Sequence, residues 1–389
     1  MAVALAAVNL RPVATAVGPV LLELREDLGM GGGAAGVLTG LPGLMFGAAG
    51  ILTVAIARRL GVAGAMTLGL VLLTSGSALR ALTGSVAVLL ALTVLALLGA
   101  GLGNILIPAF IKTHFAHRQA GMTAIYTAGL AVGATAAALV AAPIAQATSA
   151  GWRASLGIWA VSALVSVLPW VLLTVLERRR EPLEQVTGPG TSRVTGSRHA
   201  VALAVFFGLQ SSQAYVQFGW LAQMFRDAGG SATLGGALAS LVAVLGLPAG
   251  LAMPHLVQRL RDLRPVMVGF GVLLVVGYAG ILWAPLSLPW LWALCLGASG
   301  AAFPTAIALI TARTRSPQVA ARVSGFTQGF GYLLAAIAPL GIGLVHDATG
   351  GWEVPLIILM GSGPLLALAG VIAGQQVVID DELVAAGTP

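Results

Sequence analysis

The chain has 389 residues, of which 58% are hydrophobic and 8% charged, and its mean hydropathy is +0.96. Soluble domains carry about 25% charged residues, so this composition excludes a soluble enzyme and a nucleic-acid-binding domain. The net charge of +7 comes from only 20 Lys and Arg and makes no basic nucleic-acid surface, and the lone Cys295 excludes an internal disulfide.

A membrane-spanning helix needs about 20 predominantly apolar residues. Twelve such runs are read, at roughly 2–24, 34–56, 62–82, 86–111, 120–143, 154–176, 200–225, 233–257, 264–284, 287–310, 321–345 and 354–377. Strand-like alternation is absent, which argues against a β-barrel. The first run is too long for a signal-peptide core and lacks a basic start. The expected fold class is therefore an all-α membrane protein with 12 transmembrane helices.

Within the first run stands Arg11, about 14 Å deep at 1.5 Å per residue and close to the midplane. A charge at that depth costs at least about 2.5–3.5 kcal/mol on insertion scales. No Asp or Glu lies in the middle of any run, and Glu23 is near the outer end, so a structural salt bridge is not on offer. One reading has Arg11 snorkel to the interface or bind backbone carbonyls. The other makes it the positive point of a substrate cavity, which takes an anion or a molecule with a nitro group. Asn9 precedes it, Pro12 frees a backbone carbonyl below it, and Thr15 follows at i+4.

The fourth run contains Gly99-Ala100-Gly101-Leu102-Gly103, which resembles part of a dinucleotide fingerprint but has no strand before it. No P-loop is present, and the five His show no metal-ligand spacing. No enzyme activity, cofactor or metal is expected. The fifth run adds Tyr126 and the small-residue pair Gly129 and Gly133, which lets helices approach closely.

Residues 177–199 form the longest hydrophilic stretch and read as a linker between an N-terminal six-helix bundle, 1–176, and a C-terminal one, 200–389. The seventh run is unusually polar. Gln210, Gln213 and Gln217 follow 3- and 4-residue spacing beside Tyr215 and Trp220, which predicts one polar stripe facing Asn9 and Arg11. The eleventh run carries Gln328 and Tyr332 at i,i+4, and a second small pair, Gly325 and Gly329. Asn9, Arg11, Thr15, Tyr126, Gln210, Gln213, Tyr215, Trp220, Gln328 and Tyr332 are the candidate substrate-binding residues.

The two sets of six runs resemble each other. Gly151-Trp152-Arg153 before the sixth run answers Gly351-Trp352-Glu353 before the twelfth, and Arg25-Glu26-Asp27 answers Phe225-Arg226-Asp227. Parallel six-helix repeats of this kind are the architecture of the major facilitator superfamily, with substrate held near midplane between them. The basic residues set the orientation. The ends and even-to-odd connections hold fifteen of the 20, including Arg58, Arg59, Lys112, Arg118, Arg178, Arg179 and Arg180, whereas the other face holds only Arg25, Arg80, Arg153 and Arg226. Both termini are expected in the cytoplasm.

Asn9-Leu10-Arg11-Pro12, followed by Gly18-Pro19 and Asp27-Leu28-Gly29, resembles the opening of the cyanate/2-nitroimidazole porter family within that superfamily. Leu38-Thr39-Gly40-Leu41-Pro42 resembles its second helix, and Gly331-Tyr332-Leu333-Leu334-Ala335-Ala336 its eleventh. The general superfamily loop motif is degenerate: Arg59 and Gly61 match, but Val54 and Arg58 replace its first Gly and its Asp. The resemblance implies a secondary transporter of small anionic or nitro-bearing solutes, working by rocker-switch alternating access in a bacterial inner membrane. Its expected partners are the solute and the lipid bilayer, with no nucleic acid, and the chain is expected to be a monomer. The alternative is a multidrug or antibiotic efflux transporter. Such proteins usually show a Gly-Pro motif in the fifth helix and a buried acid, and neither is found here.

Overall fold

The computed structural model describes residues 1–177 and 194–387. Residues 178–193 of the expected linker lie outside the described residues. The described residues fold into long helices, and eleven of them are long and apolar enough to cross a membrane. The twelfth crossing is the polar helix Arg198–Asp227, the seventh span. It tolerates its glutamines because it is buried along most of its length, packed among spans eight, eleven and twelve.

The spans turn apolar side chains outward, as lipid requires. On the sixth, Trp152–Glu177, Val161, Leu164, Leu168 and Leu172 are exposed at 3- and 4-residue spacing, while Ala163, Ser166 and Trp170 face inward. The second and third spans join in one helical stretch, Gly32–Arg80, whose direction changes at Gly61. There φ is 72°, a left-handed value that glycine adopts without a Cβ penalty. The tenth span is two segments, Pro289–Ser299 and Ala302–Ala312.

The first span is broken. Ala2–Asn9 ends before Pro12, a short turn Pro12–Thr15 follows, then a 3₁₀ turn Gly18–Val20 and the helix Leu21–Leu28. Proline lacks an N–H and clashes with the preceding turn, so the helical ladder fails at this point. Such breaks are tolerated at membrane depth only inside a bundle, where other groups satisfy the freed backbone.

Each half is tied internally by polar side chains. In the first, Asn9 Nδ2 donates to Ser166 Oγ at 2.9 Å, linking spans one and six. In the second, Gln213 Nε2 donates to Ser362 Oγ at 2.6 Å, linking spans seven and twelve. Tyr278 Oη donates to Gln213 Oε1 at 2.6 Å, which ties in span nine.

Between the halves, contact is concentrated on the face opposite the two termini, here called the distal face. A side chain at Gly36 or Gly40 of span two would collide with the backbone of Leu340 or Ala336 in span eleven. Arg226 Nη1 donates to both Glu23 oxygens at 2.8 Å, and Arg25 lies 3.6 Å from Asp347. Toward the terminus-bearing face the helices part. Gly129 and Gly133 pack tightly on Ala7 and Val8 of span one, but a Cβ on Gly325 or Gly329 would meet nothing within 4 Å. The expected close approach at Gly325 and Gly329 is therefore not made, because both residues sit on an exposed face of the helix.

A helix not anticipated from the sequence, Ile379–Gly387, closes the chain. Ile379 and Leu383 are buried. Asp380 accepts the Arg315 and Ser316 N–H groups at 3.0 and 3.1 Å, and Glu382 accepts from Ser197 and from His199 Nδ1.

Candidate substrate site at the break of the first span

The break leaves Arg11 at the N-terminus of the turn Pro12–Thr15, with its side chain half-buried. Its backbone carbonyl accepts the Thr15 N–H at 3.1 Å and the Thr15 hydroxyl at 3.2 Å. The guanidinium lies over the Phe46 ring of span two, 5.7 Å from the centroid. The phenols of Tyr126, Tyr215 and Tyr332 lie within electrostatic range of it. No carboxylate is paired with it among the described residues. A cation beside an aromatic face and near three phenols is a donor-rich, partly desolvated site for an electronegative group.

The predicted residues divide into two groups. Arg11, Tyr126, Tyr215 and Tyr332 come together from spans one, five, seven and eleven. The others find partners elsewhere. The Asn9 amide nitrogen donates to Ser166 while its oxygen is buried without a partner, and Thr15 turns its hydroxyl onto the backbone of its own span. Gln210 accepts only a long 3.4 Å bond from Ser211, and Gln213 belongs to the network with Ser362 and Tyr278. Trp220 Nε1 donates to the Pro339 carbonyl near the distal face, and its ring packs on His346 and Trp352. Gln328 Nε2 donates to Ser324 Oγ at 2.8 Å, within its own helix. The expected polar stripe of span seven is thus largely turned into its own half, because spans nine and twelve offer it hydrogen-bond partners.

The sequence model of the Major Facilitator Superfamily matches residues 3–339. The chain belongs to that superfamily. It is 30% identical to the 2-nitroimidazole transporter of Escherichia coli (strain K12) over 371 residues, covering 95% of this chain and 93% of that one. The cyanate transport protein CynX of the same organism is 29% identical over 345 residues, 88% of each chain. An uncharacterized transporter of Bacillus subtilis (strain 168), YycB, is 32% identical over 372 residues, covering 95% of this chain and 92% of that one. Among solved structures, the inward open xylose transporter XylE from E. coli superposes with a TM-score of 0.74 at 12% identity, over 95% of this chain and 94% of that one. A bacterial homolog of the human lysosomal transporter Spinster, inward-facing and occupied, gives 0.74 at 19% over 99% and 94%. The structural likeness shows the superfamily fold, and the sequence likeness joins the chain to the cyanate and nitroimidazole porters.

Two residues at this candidate site were missed in the sequence. Phe46 forms the aromatic wall, and Asn104 of span four receives the Tyr126 hydroxyl on Oδ1 at 3.2 Å. Asn104 carried a signal, a polar side chain within an apolar run. Phe46 carried none, since an aromatic facing lipid reads the same.

Proposed function

We propose that the chain is a secondary active transporter of small anionic or nitro-bearing solutes, working by alternating access in a bacterial cell membrane with both termini in the cytoplasm. The observation that carries the substrate class is Arg11, a cation at the break of span one with three phenols around it and no carboxylate partner. The names of the cyanate and 2-nitroimidazole relatives support it, since both solutes present electronegative atoms to a cationic donor. The sealed distal face and parted terminus-bearing face correspond to one end state of a rocking motion. The bias of basic residues supports a cytoplasmic terminus-bearing face, which makes this state inward-facing.

Calorimetry with cyanate and with 2-nitroimidazole on the purified chain tests the site. Arg11→Ala is expected to lose about 10- to 150-fold in affinity, the worth of a charge-assisted hydrogen bond of about 1.5–3 kcal/mol. Arg11→Lys is expected to recover little, because an ammonium lacks the planar fork of donors. A change under about threefold in the Ala variant, below the worth of one such bond, would sink the reading.

A further inference from the structure

Arg80, expected at the distal membrane surface, is instead 0% exposed. It ends the third span and points into the N-terminal half. Its Nη1 donates to the Val13 carbonyl at 3.0 Å. That acceptor is free because the broken first span tightens here, where the Val17 N–H reaches Ala14 at 3.4 Å and leaves Val13 without its helical donor. Nε and Nη2 of Arg80 are buried without a partner. Buried donors in folded proteins almost always find acceptors, and a buried guanidinium calls for a counter-charge.

The acids at this end of the N-terminal half are engaged or exposed. Glu23 binds Arg226, Asp27 binds Arg153 and Trp152, and Glu26 is exposed. Two further side chains buried in this half are also unpartnered, Thr93 Oγ1 of span four and Ser155 Oγ of span six. The packing sets their level. A Cβ on Gly157 would lie 3.4 Å from Ala81, and one on Gly76 would lie 2.7 Å from the Leu92 carbonyl and Ala96 N–H. Span six therefore packs beside the end of the third span, and span four packs against it a turn earlier. Arg80 meets the break from span three, whereas Arg11 lies toward Phe46 of span two and the phenols of spans five, seven and eleven.

We propose that Arg80, Thr93 and Ser155 form a second anion site inside the N-terminal half, taking a small inorganic anion of the halide class. The set offers two guanidinium nitrogens and two hydroxyls as donors and holds no acid. An anion bound there neutralises Arg80 and braces the break that presents Arg11 from the opposite side. The site does not depend on what the chain transports.

The test uses the purified full chain at constant ionic strength, with gluconate replaced stepwise by chloride and then by bromide. The thermal unfolding midpoint of the wild type is expected to rise saturably with halide. Arg80→Gln should abolish the rise. Ser155→Ala, a milder change that guards against misfolding, should raise the half-saturating bromide concentration about two- to tenfold. Arg11→Ala should leave the halide response intact. The site is overturned if halide has no effect beyond gluconate, if the Arg80→Gln and Ser155→Ala curves match wild type, or if Arg11→Ala removes the response. The last outcome would place the halide in the central site.

Discussion

Asp347 of the eleventh span caps the second span from across the interface between halves, its Oδ2 accepting the Gly32 N–H at 2.5 Å. The first N–H groups of a helix have no intrahelical partner, and a carboxylate there also meets the positive end of the helix dipole. The cap normally comes from the helix's own N-terminal residue. Here Gly31 occupies that position and supplies no side chain. A methyl group on Gly32 would collide with the Asp347 carboxylate, so the arrangement requires glycine. Alternating access, as proposed above, would break this bond when the distal face opens.

Asp347→Ala should therefore favour the distal-open state. Loss of a helix cap costs about 0.5–2 kcal/mol, or about two- to thirtyfold in the equilibrium. Thr39 of span two is buried against Gly219 of span seven and reports on closure. With cysteine at position 39 in a Cys295→Ala background, thiol labelling from the distal side should accelerate by that factor. An unchanged rate would show that the cap does not hold the face shut.

Tyr278→Phe separates scaffold from site. The hydroxyl donates to Gln213 and accepts the Gln217 Nε2 at 3.3 Å, so its removal leaves buried amide groups unsatisfied. Interhelical hydrogen bonds in membranes are worth about 0.6–2 kcal/mol, and stability in chemical denaturation should fall by that amount. Solute affinity should stay within about twofold, because no lost bond touches Arg11.

Tyr215→Phe should do the reverse. Its hydroxyl is one of the three phenols within electrostatic range of the Arg11 guanidinium. Removing it should weaken solute binding by about two- to tenfold, the range for one hydrogen bond, with titration calorimetry as the readout. Equal affinity would remove Tyr215 from the site.

Acid should release the C-terminal helix. Burial pushes the Glu382 carboxyl up, but hydrogen bonds from Ser197 and His199 outweigh this and hold it below the ordinary glutamate range. Asp380 is likewise lowered by the Arg315 and Ser316 N–H groups against its own burial. A depressed folded-state pKa gives stability that is fully present above the unfolded value and is lost as pH falls through the folded one. Docking should hold at neutral pH and weaken below the usual carboxylate range. A spin label on exposed Val384 should gain mobility there in the wild type, while Glu382→Gln should already be mobile at neutral pH.

The fold was legible because its signals are long and repeated. The apolar runs and the isolation of Arg11 follow from the hydrocarbon's aversion to charge, and the repeated Gly-Trp pairs mark the two halves. What sequence could not resolve was direction around a helix axis. Gln213 and Tyr215 sit two residues apart, and one joins the scaffold while the other reaches Arg11. Arg80 at the end of a run read as a surface residue, since nothing local indicates that a guanidinium turns inward to a carbonyl freed in another span. Likewise, Phe46 gained a role only when span one broke beside it. The helix Ile379–Gly387 lacked a strong pattern because its stability comes from carboxylates meeting loops far away in the chain.

The polarity of the seventh span bears on how the protein is made. Arg198–Asp227 falls short of the apolarity that carries the other spans into lipid, and its glutamines find their partners in Tyr278 and Ser362, which are synthesised later. A segment with several uncompensated amides partitions poorly from the translocon on its own. Biogenesis of the second half is therefore expected to be collective, with the seventh span waiting beside the translocon, or leaning on the finished first half, until the ninth and twelfth spans emerge from the ribosome.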